Sequence, residues 1–178
     1  MAYASWSVTF GEQPSAAKWN ILGTNDASFN DGSGIGTNAI GAASLATNAI
    51  KLGYAAITTT FSTASTSYVQ VTGLTSTVTV PAGGRSVKIT VWALDAYQTS
   101  GGGSHRVSLW DGTVGSGTQL NTLALSTTAN DGRIITMISV VTPAAGSKTY
   151  NVGYRVGAGT GNFEADTTFP AIILVELI

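Results

Sequence analysis

Hydrophobic residues follow three different rhythms along this chain, and each predicts a different kind of structure. Near the start, Trp6, Val8 and Phe10 alternate with Ser5, Ser7 and Thr9, the period of a short strand with one apolar face. Pro14 then suits the opening of a helix, and Ala16, Ala17, Lys18, Trp19, Ile21 and Leu22 are compatible with a turn or two. Trp19 and Leu22 stand three apart and share a face, and Gly23 is a stop signal. A second short turn around Asp26 to Phe29 is expected before Asn30-Asp31-Gly32 breaks the chain. The second rhythm is a five-residue one: Ile35, Ile40, Leu45 and Ile50, with Thr-Asn-Ala-Ile at 37–40 and again at 47–50. Five matches neither the helical nor the strand period. It suits an extended chain wound with copies of itself about an axis, the alternative being a linker with chance spacing.

The third rhythm begins at Tyr54 and is that of β-structure. Strands are expected near Ala55–Phe61, Tyr68–Thr72, Thr75–Val80, Arg85–Asp95, His105–Trp110, Gln119–Leu125, Arg133–Thr142, Thr149–Val156 and Ala171–Ile178. Turns are expected at Thr72-Gly73-Leu74, Pro81 to Gly84, Asp111-Gly112, Asn130-Asp131-Gly132 and Pro143 to Gly146. Val87, Ile89 and Val91 alternate with Lys88, Thr90 and Trp92; Tyr150, Val152, Tyr154 and Val156 alternate with Asn151, Gly153 and Arg155. Each set predicts one core face. The closing FPAIILVELI carries one charge, Glu176, and reads as a strand buried on both faces. Many short strands at this spacing predict an all-β jelly-roll sandwich.

Composition supports that class. Glycine is abundant (22 residues) and charged residues make up only 10%, against roughly 25% in an ordinary soluble domain. Eight basic and nine acidic residues form no basic stripe, so no nucleic-acid partner is expected. No apolar run reaches membrane length, so membrane insertion is not expected. The opening MAYASWSVTFGEQ lacks the basic start and apolar block of a signal peptide. Without cysteine, thiolate chemistry and disulfides play no part.

Catalytic patterns are weak. His105 is the only histidine, which removes a two-histidine metal site within one chain, and no Gly-x-Ser-x-Gly surrounds a serine. Gly34-Ile35-Gly36-Thr37-Asn38-Ala39 matches a degenerate dinucleotide pattern, but no hydrophobic strand precedes it and no acid follows until Asp95. Asn25, Asp26, Asn30 and Asp31 lack the glycine and glutamate of a calcium loop. Asp95, Asp111, Asp131, Glu164 and Asp166 all fall near expected loops, where solvated acids belong, and no spacing marks an acid–base pair. No enzyme, cofactor or metal is therefore expected. Tyr97, His105, Trp110 and Phe163 lie in or beside the longest expected loops, and aromatic residues there can stack on a sugar or anchor a protein. For Trp110 a place in the core or in a subunit interface is equally open, and for His105 a surface or locally packed position.

EQPSAAKWNILGTNDASFNDGSGIG resembles a segment near the N-terminus of many bacteriophage and prophage structural proteins. IGTNAIGAASLATNAIKLG is similar to the spaced-isoleucine stalks of phage fibres. ITTTFSTASTSYVQVTGLTSTVTVPAGGRSVKITVWA with the closing FPAIILVELI resembles compact trimeric fibre heads of the TNF and C1q type. The resemblance implies a homotrimeric phage protein on the virion surface. Its parts would be an N-terminal anchor (1–34, a strand and a short helix), an extended intertwined neck (35–53) and a jelly-roll head (54–178). Trp6, Phe10, Trp19, Leu22 and Phe29 would serve the anchor, and Ile35, Ile40, Leu45 and Ile50 the neck. Implied partners are two further copies, other virion proteins of capsid, collar or tail, and a host-surface glycan or protein. A tail or head fibre with a receptor-binding head leads; a capsid decoration protein and a polysaccharide-degrading tail protein are the alternatives.

Overall fold

The computed structural model describes residues 15–17, 20, 51–81 and 85–178. The expected anchor residues Trp6, Phe10, Trp19, Leu22 and Phe29, and the neck residues Ile35, Ile40, Leu45 and Ile50, lie outside the described residues. Ala16, Ala17 and Asn20 are in helical conformation. The chain divides into units 1–46 and 47–178, and the second unit holds all the strands described below.

Ten strands build this unit: β1 (Lys51–Ile57), β2 (Phe61–Thr63), β3 (Val69–Val80), β4 (Val87–Gln98), β5 (Arg106–Asp111), β6 (Thr118–Ala124), β7 (Arg133–Val141), β8 (Gly146–Arg155), β9 (Gly161–Glu164) and β10 (Ala171–Leu177). One sheet runs β1-β10-β4-β7, with β9 and β2 continuing the places of β10 and β1 alongside the far end of β4. The other runs β3-β8-β5-β6. All pairings are antiparallel. A six-stranded and a four-stranded sheet with neighbours this far apart in sequence make a jelly-roll sandwich.

The two inner faces meet in one core. Val87, Ile89, Val91 and Ala93 of β4 face Tyr150, Val152 and Tyr154 of β8 across it, all fully buried. The alternation in β4 and β8 thus points as their sequences predict. Three local readings change. Thr72-Gly73-Leu74 is a bulge inside β3 rather than a turn between two strands: register shifts between Gln70 and Thr75, and Gly73 takes φ +91°. Its missing side chain matters, because a Cβ there would lie 2.6 Å from Ile57. The expected strand Ala55–Phe61 is split into β1 and β2, and β1 begins at Lys51, inside the stretch assigned to the neck. β9 falls within an expected loop, because four residues after a glycine-rich run carry too little alternation to stand out.

β10 is also different from its expectation. Ala171, Ile173, Val175 and Leu177 are buried, but Ile172, Leu174 and Glu176 are only half-buried. A strand central in its sheet is flanked on both edges, yet nothing among the described residues covers its outer face. That face is apolar well beyond β10: Tyr54, Leu94, Ile134, Ile138 and Val140 are all exposed there. In register, Tyr54, Leu174, Thr90 and Ile138 form one row, and Ala56, Ile172, Trp92 and Thr136 the next.

Candidate functional site

The outer face of the other sheet is built quite differently. Along β5 the outward positions are Arg106, Ser108 and Trp110, and β8 sets Arg155, Gly153 and Asn151 directly opposite them. Gly153 leaves a gap in the side-chain layer. A Cβ there would lie 3.0 Å from Trp110 Nε1 and 2.8 Å from Val114, so the indole can lie down across β8 only because residue 153 is glycine. Tyr68, just before β3, packs edge-on against Trp110 at 5.7 Å, and its hydroxyl reaches Thr122 on β6 at 2.9 Å. The two rings therefore bridge all four strands.

Beside these rings a shallow cleft of about 560 Å³ opens, lined by Tyr68, Arg106, Trp110, Gln119, Thr122 and Arg155 among others. Arg155 sits over the Tyr68 ring at 5.4 Å and donates to the Thr66 carbonyl at 3.3 Å. Arg106 donates through Nε to Ser104 Oγ at 3.3 Å. No ion pair joins either guanidinium to a carboxylate among the described residues. Trp110 is 7% exposed, and its Nε1–H has no acceptor among the described residues. The cleft thus offers an aromatic wall, two guanidiniums and neutral hydrogen-bonding side chains. Such an arrangement can hold a polar, flat-faced ligand that carries negative charge.

The four aromatic residues expected at ligand-facing loops are not brought together. Trp110 lines this cleft. Tyr97 is on the opposite sheet, in a second depression of about 540 Å³ with Leu94, Asp95, Gly132, Ile134 and Glu164. His105 and Phe163 are fully buried and unavailable to a ligand. Phe163 points inward because β9 pairs with β4 and alternates like any sandwich strand, and it packs edge-on against Tyr154 at 5.9 Å. His105 packs against the same ring at 6.0 Å, with Nε2 3.2 Å from the Ala96 carbonyl. Arg106, Arg155, Tyr68, Gln119 and Thr122 were not foreseen. Their only signal in the sequence is outward phase on their strands, which solvated residues share.

The acids mostly have structural tasks. Asp131 pairs with Arg133 at 2.7 Å, and Ser126 and Arg133 hold its carboxyl below the usual range. Asp166 accepts the backbone N–H groups of Thr168 and Phe169, and Asp111 lies 3.9 Å from Lys148. Asp95 and Glu164 are the exception, since they stand opposite each other on β4 and β9. Burial pushes Asp95 up, Glu164 adds to this, and the backbone N–H groups of Ala96 and Arg133 oppose it. Those N–H groups sit where β4 slips register between Ala93 and Ala96. Asp95 lies over Gly132, where a Cβ would collide with its carboxylate.

No family model and no curated protein sequence matches the chain. Solved structures are similar in fold only. The TNF Eiger from S. frugiperda is 11% identical with a TM-score of 0.44, over 72% of this chain and 93% of that one. The C-terminal domain of EclA, a sugar-binding protein, is 16% identical with a TM-score of 0.39, over 67% and 78%. Tailspike protein 4 of bacteriophage CBA120 is 14% identical with a TM-score of 0.32, over 72% of this chain but 19% of that one.

Proposed function

We propose that this chain is a non-enzymatic phage virion structural protein, a short trimeric tail or head fibre whose β-sandwich binds a host-surface receptor. One observation carries the reading: the two outer faces of the sandwich are specialised in opposite ways. The β1-β10-β4-β7 face presents exposed Tyr54, Ile134, Ile138 and Val140 around half-buried Ile172, Leu174 and Trp92. An apolar surface spread over four strands is costly in water and is the usual mark of an interface. Lys88 and Glu176 within it neutralise each other at 2.7 Å, and Lys51 lies over the Tyr54 ring at 5.6 Å. Second and third copies of the chain are the occupants this favours. A head-to-tail contact closes into a ring under three-fold rotation, and the five-residue apolar repeat in the sequence before β1 also suits winding with further copies. The opposite face, with its aromatic and cationic cleft, would then point outward to the receptor.

Sedimentation velocity on the full chain tests the assembly: a species of three times the chain mass is expected, and a monomer at high dilution would sink the reading. Immunogold labelling of particles tests the location, with label on the virion surface expected. Stabilisation of empty capsids without any receptor binding would favour a decoration protein instead. A second reading, cleavage of host polysaccharide, has the raised Asp95 opposite Glu164 in its favour. Turnover of polysaccharide that disappears in Asp95→Ala would establish it.

A further inference from the structure

We infer that the receptor is an acidic saccharide, one whose sugar ring carries a carboxylate, and that it binds in the cleft on the β3-β8-β5-β6 face. The inference rests on the proposal that this domain binds a host-surface receptor, and it deepens that reading by naming the ligand's chemistry. The decisive observation is a register position. Arg106 on β5 and Arg155 on β8 are directly opposite each other in an antiparallel pair. Like charges in that relation destabilise a sheet. Structural arginines usually relieve this with a carboxylate nearby, yet no ion pair to either exists among the described residues. The chain has only eight basic residues, and two of them occupy this one unfavourable pair.

An anion between the two guanidiniums would turn the repulsion into a two-pronged grip. Guanidinium donors match a carboxylate geometrically, and they are weakly hydrated, so little is lost when a ligand displaces water from them. Both are half-buried and already held in place, Arg155 by the Tyr68 ring and the Thr66 carbonyl, Arg106 by Ser104. Preorganisation of this kind lowers the entropic cost of binding. Carboxylates occur on peptides too, but the rest of the cleft favours a sugar. Tyr68 supplies an aromatic wall, while Gln119 and Thr122 supply neutral donors and acceptors suited to hydroxyl groups. A volume of about 560 Å³ accommodates one or two pyranose rings, and the cleft is an open groove without a deep apolar pocket for a peptide side chain.

Isothermal titration of the full chain with methyl glucuronide and with the methyl glycoside of N-acetylneuraminic acid tests this, with methyl glucoside as the neutral control. At least one acidic probe should bind about tenfold or more tightly than the glucoside, and more weakly as salt is raised. Arg106→Gln and Arg155→Gln should each lower that affinity about tenfold or more. Because each substitution also removes the cross-strand repulsion, its melting temperature should equal or exceed the parent's, which separates lost binding from lost folding. Equal affinity for the neutral and acidic probes, or acidic binding untouched by both substitutions, would overturn the inference. So would a failure of both acidic probes to bind. If neutral glycans on an array are then still captured, the receptor-binding reading survives without this one. If no glycan of either kind is captured and the protein stabilises empty capsids, both fall together.

Discussion

The two outer faces of this sandwich are made by strands of similar length and pairing, yet they differ in almost every chemical respect. On the β1-β10-β4-β7 face, isoleucine, valine, leucine and tyrosine stand exposed in aligned rows, and Lys88 is neutralised by Glu176. On the β3-β8-β5-β6 face, the Trp110 indole lies against Gly153, and two arginines confront each other without a counter-ion among the described residues. The contrast teaches that exposure has different causes in the two places. An exposed aliphatic row has no hydrogen-bonding capacity and can be covered only by another apolar surface. A half-buried guanidinium pair keeps contact with water and becomes a liability only through its neighbour, so it calls for an anion. The core between them is indifferent to this division and supports both.

Changes at the core should therefore disable both faces at once. Phe163→Ala removes a fully buried ring wedged against Tyr154 and should cost about 3–5 kcal/mol, measured by denaturant unfolding. A cost below about 1 kcal/mol would mean that Phe163 is not a core residue. A change on one face should leave the other intact. Ile138→Asp puts a carboxylate in the middle of the aliphatic rows, and in the proposed assembly its burial should cost about 2 kcal/mol or more per contact. Light scattering should report a monomer that still binds saccharide, whereas an unchanged mass would remove this face from the interface. Gly153→Ala is the converse test. Its Cβ would press on Trp110 and Val114, and repacking should cost about 1–3 kcal/mol. Oligomeric mass should be unaffected while saccharide affinity falls.

The last effect is expected only at alkaline pH. Burial, with help from Asp111, pushes Tyr150 up to about 12, and burial also raises Tyr154. Folded values above the ordinary 10.0 mean that the unfolded chain loses these protons first. Their contribution is thus complete below pH 10 and declines as pH climbs toward about 12. Phenolate absorbance should rise together with unfolding there; ionisation of all tyrosines at pH 10 in a folded chain would contradict the buried placement.

Much of the sandwich was legible beforehand, because period-two alternation in β4 and β8 is a local property and burial of the apolar set follows from it. The bulge at Gly73 was legible only as a glycine, since a turn and a bulge demand the same positive φ. Burial of Phe163 was not legible, because its fate depends on β9 docking beside the far end of β4; the sequence left His105 open between a surface and a packed position, and its contacts with Ala96 and Tyr154 decide for the second. The cleft was the least accessible of all. Tyr68, Arg106 and Arg155 are distant in sequence and meet only through the β3-β8-β5 register.

What the order of residues decided alone was the class of fold, the inward faces of the strands, and the shortage of charge. Each depends on near neighbours and on the water-averse character of single side chains. What the tertiary structure decided was which strands adjoin, and with that the opposition of two arginines and the alignment of the aliphatic rows. Strand pairing is a long-range choice, and one residue of slip would send every one of these side chains to the other face.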